Sequence, residues 1–185
     1  PNSLEAAVCD LLCIYVGFDE FINLINYEDP DPIYACEIIG LCSMTGSGAA
    51  SSVSYTVQPT SGPQGTTFNF NYQYQVTKQT STGLATIFIM PTKGVGFPIE
   101  DGELLANGQA PGQYNIQFSW QAEPSEFEPV CPGPFESQVQ ICAGDCSGAH
   151  EDSGVYCQAT ANLTITGNPA GCGSSSSSTS GTTST

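Results

Sequence analysis

The chain has 185 residues and a formal charge of −16, with eighteen carboxylates set against only Lys78 and Lys93. Such a field makes nucleic acid and anionic membrane surfaces poor partners. No apolar run approaches the roughly 20 residues that a bilayer-spanning helix needs, so no transmembrane segment is expected. Nine cysteines stand beside a single histidine, and no Cys-x-x-Cys pair occurs. Disulfides of an oxidising compartment explain that usage better than a zinc site. No initiator Met or charged leader is present, so the chain reads as the processed form of a secreted, extracellular protein. No cofactor is expected beyond covalent glycans. The carboxylates leave calcium open as a ligand, although solubility is the simpler use of the charge.

Residues 1–45 predict a helical hairpin. Leu4, Val8, Leu11 and Leu12, then Tyr15, Val16, Phe21, Leu24 and Ile25, recur near a 3.6-residue period. Pro30 and Pro32 end that pattern in a turn, and a second short helix is predicted from Ile33 to Leu41. Cys9 and Cys13 share one face of the first helix, while Cys36 and Cys42 lie on the returning segment. Antiparallel packing would nest Cys13 with Cys36 and Cys9 with Cys42, one of three possible connectivities.

A linker at 46–51 leads into 52–167, where the period changes to two. Phe68 to Thr77 and Tyr114 to Gln121 alternate apolar and polar residues without a break. A third run sets Cys157, Ala159, Ala161, Leu163 and Ile165 on one face, with Gln158, Thr160, Asn162 and Thr164 on the other. Strands with one wet face predict antiparallel sheets in an immunoglobulin-like β-sandwich. Shorter candidates are Val53 to Val57, Leu84 to Met90 and Val139 to Cys142, with turns at Pro59 to Gly65 and at Ala110 to Gly112. The fold class is therefore α+β, a disulfide-linked helical hairpin followed by a sandwich. Residues 168–185 form a tail that cannot bury apolar surface. Its Ser174, Ser175, Ser176, Ser177, Ser178 and Thr179, then Ser180, Thr182, Thr183, Ser184 and Thr185, read as O-glycosylation acceptors.

Asn162-Leu163-Thr164 is the one acceptable N-glycosylation sequon, and the alternation puts Asn162 on the wet face of its strand. Cys131 with Cys142 and Cys146 with Cys157 is one of three ways to pair the C-terminal cysteines. Cys172 is then left for an intermolecular bond, for an N-terminal cysteine, or as a free thiol. His150, beside Glu151 and Asp152, has no nucleophile motif near it and reads as a loop histidine. The carboxylate pairs Glu100 with Asp101 and Glu126 with Glu128 read as acidic loops rather than acid and base. Phe68, Phe70, Tyr72 and Tyr74, with Tyr114, Phe118 and Trp120, read as a core face in preference to a sugar-stacking platform. No catalytic or metal residues are assigned, and no enzyme is expected.

The segment Asp31-Pro32-Ile33-Tyr34-Ala35-Cys36-Glu37-Ile38-Ile39-Gly40-Leu41-Cys42 resembles the closing half of a saposin B-type domain. Ser61-Gly62-Pro63-Gln64-Gly65-Thr66-Thr67-Phe68 and Pro111-Gly112-Gln113-Tyr114 resemble the β-domain of countin-like proteins, secreted by social amoebae. The resemblance runs over about residues 5–167 and implies a non-enzymatic extracellular protein of a multi-subunit assembly that influences cell groups. The residues point first to a structural subunit of an extracellular glycoprotein assembly, such as a filament or cell-surface appendage, built from copies of itself or related subunits. A soluble secreted signalling factor of the countin type is the alternative, and a lipid- or carbohydrate-binding module a weaker one.

Overall fold

The computed structural model describes residues 32–38, 40–93, 98–124, 130–148, 150 and 153–167. The chain order is helix α1 (Pro32–Ile38), then strands β1 (Ala49–Gln58), β2 (Ser61–Pro63), β3 (Thr67–Lys78) and β4 (Gly83–Pro91). Strands β5 (Ile99–Leu105), β6 (Gly112–Gln121), β7 (Gly133–Ala143) and β8 (Gly154–Thr166) complete it.

The period-two runs become the strands that hold the core. On β3, Phe68, Phe70, Tyr72, Tyr74 and Val76 are at most 1% exposed, while the residues between them face outward. These side chains meet Ile87 and Ile89 of β4, Phe135, Val139 and Ile141 of β7, and Leu163 and Ile165 of β8 in one continuous cluster. Two sheets therefore pack face to face, one ordered β1-β3-β6 and the other β2-β8-β7-β4-β5. Trp120 against Phe135, with ring centroids 6.0 Å apart, bridges them at one end. The Tyr55 hydroxyl bridges them elsewhere, donating to Ser137 Oγ at 3.1 Å.

The expected α+β class is corrected. Among the described residues the only helix is α1, seven residues long, and the rest of the regular structure is strand. Of the predicted hairpin, residues 1–31 lie outside the described residues. The second helix, predicted to run to Leu41, stops at Ile38 because Gly40 turns left-handed at φ +72°. Its N–H bonds the Glu37 carbonyl, and the Leu41 and Cys42 N–H groups return to the Cys36 carbonyl, closing the helix end. That turn brings Cys42 back to Cys36, which it bonds across a Cα separation of 5.2 Å. The Cys13–Cys36 and Cys9–Cys42 pairings are thereby replaced.

Two further differences concern the sheets. The segment read as a turn at Pro59 to Gly65 contains β2, which runs parallel to β8 from Ser61 opposite Thr164. The sheets are thus antiparallel except at this edge. Strand β5 was not anticipated, since Glu100, Asp101, Gly102 and Glu103 are poor strand formers. It pairs with β4 alone and forms the opposite edge, where charge suppresses unwanted strand pairing.

The stretch after α1 docks without becoming a strand. Ser43 exchanges backbone and side-chain bonds with Thr82, and the Thr45 N–H donates to Ser81 Oγ at 2.9 Å. Gly83 adjoins this junction, and a Cβ there would collide with the Cys142 carbonyl oxygen.

Candidate binding face

Among the described residues, the cysteines are disulfide-bonded or buried and the histidine is stacked on an aromatic ring. Cys142 bonds Cys146, four residues on, and Cys157 is a free, buried thiol. The pairs Cys131–Cys142 and Cys146–Cys157 are therefore corrected, although Cys131 is itself disulfide-bonded. The reason is local. Gly144 and Cys146 both adopt left-handed backbone, at φ +58° and +70°, and fold the end of β7 into a tight loop. Cys157 points into the core from β8, where it accepts the Tyr72 hydroxyl at 3.2 Å. The Tyr72 oxygen lies 2.6 Å from Ser52 Oγ, which donates to the Gln158 carbonyl. Burial raises the Tyr72 and Cys157 pKa values, so both groups stay protonated and none is poised as a nucleophile. His150 stacks flat on Tyr34 of α1, with centroids 3.7 Å apart and planes 4° from parallel.

Among the described residues, the carboxylates Glu100 and Asp101 do not assemble a reactive pair. Glu100 and Asp101 are consecutive on β5, not in a loop, and consecutive strand residues point to opposite faces. Among the described residues, no group of three or more His, Cys, Asp or Glu is placed to hold a metal ion. Cys9, Cys13, Glu126, Glu128, Glu151, Asp152, Cys172 and the Ser174 to Thr185 acceptors lie outside the described residues. Asn162 is exposed on the outer face of β8, opposite Glu136 of β7. The aromatic row of β3 is core, so it offers no stacking platform.

The surface that stands apart is the outer face of the β1-β3-β6 sheet. Its three strands contain one charged residue, Lys78 at the end of β3. The pairing register aligns their outward side chains into rows. Gln58, Asn69 and Ser119 make one row, and Thr56, Asn71 and Gln117 the next. Ser54, Gln73 and Asn115 follow, then Ser51, Gln75 and Gln113. Every position is polar and uncharged. Some are satisfied internally: Ser119 Oγ donates to Asn69 Oδ1 at 2.8 Å, and Gln75 Nε2 to the Val76 and Gly112 carbonyls at 3.0 Å. A register shift in β1 between Ser52 and Ser54 bulges Val53 outward, leaving it 53% exposed beside Gln73 and Asn115.

Sequence reasoning missed this face. The signal was present in the polar half of the alternation, Asn and Gln where an acidic protein would be expected to place charge. Cross-strand register was needed to see that three such sets coincide.

Fold and surface together define a two-sheet β module with an acidic body and a neutral amide-rich face, and the comparisons with known proteins carry this further. The signature of the countin C-terminal domain matches residues 50–170, and that of the countin N-terminal domain matches residues 1–40. Countin-2 of Dictyostelium discoideum is 38% identical over 172 residues, covering 91% of this chain and 66% of its own length. Countin-1 of the same organism is 41% identical over 160 residues, covering 86% and 61%, and Countin-3 is 34% identical over 158 residues, covering 85% and 70%. The chain belongs to the countin family. It spans 66% and 61% of the length of the first two relatives, just under two thirds. Among solved structures, the Pseudomonas fluorescens alkylpurine DNA glycosylase AlkC bound to DNA containing an abasic site analog has a TM-score of 0.51 at 14% identity. The match covers 74% of this chain and 34% of that one, a likeness of fold alone.

Proposed function

We propose that the chain is a secreted, non-enzymatic factor of the countin type that acts on groups of cells by binding, with the neutral face of the β1-β3-β6 sheet as its contact surface. Family membership over both halves of the chain carries this reading. The cysteine usage and the exposed sequon at Asn162 support an extracellular setting. The buried protonated Cys157 and the separated carboxylates of β5 agree with work by contact rather than by chemistry. The countin relatives favour this reading over a filament subunit. Glycans at Asn162 and on the Ser/Thr tract, and a role for Cys172 in joining subunits, belong to the same proposal.

The test adds purified secreted protein to aggregating social amoebae, counts cells per group, and sizes the same material by light scattering and negative-stain microscopy. A dose-dependent change in group size from discrete particles is expected. Unchanged groups, or long regular polymers, would overturn the signalling reading. In the same material, Asn162→Gln should remove the mass of one N-linked glycan; an unchanged mass would mean that the sequon is unused.

A further inference from the structure

We infer that the neutral face of the β1-β3-β6 sheet is a binding site for an uncharged, hydroxyl-rich glycan. The inference rests on reading the chain as a factor that works by binding, and it names the class of ligand. A carboxamide offers two N–H donors and a carbonyl acceptor, the complement of a sugar hydroxyl that both gives and takes a hydrogen bond. Among the described residues, the side-chain amides of Asn71, Gln113, Asn115 and Gln117 make no hydrogen bond, so their capacity is turned outward. The contrast with the other sheet is instructive. There Gln138 and Gln140 both donate to Gln158 Oε1, at 3.1 and 3.3 Å, and satisfy one another.

Charge selects the ligand class. The described residues set seven carboxylates against Lys78 and Lys93, and the whole chain carries −16, so an anionic ligand would be repelled as it approached. A cationic ligand would be drawn to the carboxylates and away from this face. A neutral polar ligand is indifferent to the field and gains from the amides. Shape agrees. Two shallow depressions lie on the face, one of about 340 Å³ around Asn71 and Gln117, the other of about 200 Å³ around Gln73 and Asn115. Neighbouring rows are separated by about 7 Å along a strand and neighbouring strands by about 4.8 Å, so the grid can meet several consecutive sugar units. Val53 supplies an apolar contact for the C–H face of a ring. A second copy of the chain is the competing occupant, but stable protein interfaces have an apolar core. Val53 is the one large apolar side chain this face exposes.

The experiment is affinity electrophoresis of the full chain in native gels containing soluble dextran, yeast mannan or β-1,3-glucan. Retardation by at least one polysaccharide is expected, and 0.5 M NaCl should leave it unchanged because the contacts are uncharged. The double variant Asn71→Asp/Gln117→Glu keeps side-chain size but removes the amide donors, and should weaken binding at least tenfold. Gln158→Glu/Thr160→Glu, on the exposed face of β8, adds the same charge and should bind like the parent. Near-ultraviolet circular dichroism checks that both variants are folded. The inference fails if no polysaccharide retards the parent chain, or if both variants bind equally well. It also fails if Asn71→Asp/Gln117→Glu abolishes only self-association. Loss of the group-size effect in that variant, with the parent ignoring every polysaccharide, would leave the binding-factor reading standing and the glycan refuted.

Discussion

Three tyrosines anchor the core through their hydroxyls, Tyr55 and Tyr72 to the opposite sheet and Tyr74 to Gln109 of the β5–β6 loop, and each is held in its neutral form. Tyr55 and Tyr74 are pushed up to about 12 by burial, against the opposing effects of their bonds to Ser137 and Gln109, and Tyr72 is raised as well. An unfolded chain would ionise these phenols near 10.0. Stability from them is therefore complete below pH 10 and is lost as pH rises from 10 towards 12, where only the unfolded state gives up protons. Thermal unfolding followed from pH 8 to 12 should show a melting temperature that falls steeply above 10, with tyrosinate absorbance appearing together with unfolding. Absorbance that rises while the fold persists would mean that the phenols are accessible. Tyr72→Phe removes the hydroxyl that meets Ser52 and Cys157. Ser52 keeps its bond to the Gln158 carbonyl and a thiol is a weak acceptor, so the cost should be about 1 kcal/mol by denaturant unfolding. A loss several times larger would indicate a cooperative network.

At the scale of elements, β3 carries most of the architecture. It is the middle strand of its sheet, and its inward residues are all buried. Phe70→Ala should cost about 3–5 kcal/mol through lost transfer energy and the cavity left behind. The Cys142–Cys146 bond should matter far less. Its loop-closure contribution is about 2 kcal/mol for so short a loop. Relaxing Cys146 from its left-handed backbone returns on the order of 1 kcal/mol. Replacing both cysteines with serine should therefore cost about 1 kcal/mol, and urea titration of the two variants side by side checks the ranking. A larger loss for the serine pair would mean that the loop braces the sheet beyond its own closure.

The whole molecule is governed by its charge. Sixteen net negative charges on one chain repel one another, and salt screens that repulsion. Raising NaCl from 10 mM to 0.5 M should raise the melting temperature by a few degrees, as read by calorimetry. A fall with salt would point to stabilising ion pairs instead. Against that charge, the three strands of the amide face hold only Lys78, so the face stands as a neutral window on an acidic chain.

Much of the sandwich was legible in the sequence. Phe68 to Thr77, Tyr114 to Gln121 and the Cys157 to Ile165 run specify strands with one dry and one wet face, because side-chain alternation is a local property of an extended chain. The charge, the absence of zinc-like cysteine spacing and the countin resemblance were equally readable. Strand β5 was hidden because its acidic residues gain a strand conformation only from pairing with β4. The helix end at Ile38 turned on the left-handed Gly40, and the choice of Cys42 for Cys36 followed from it. Cys157 looked like half of a disulfide until the fold buried it against Tyr72. The rows of amides on β1, β3 and β6 exist only once register is set, and register is a non-local outcome of packing one buried face against another. Composition and periodicity thus determined which segments extend and what the surface repels. Pairing between distant segments, driven by burial of the shared core, decided which thiols meet and which polar side chains stand side by side.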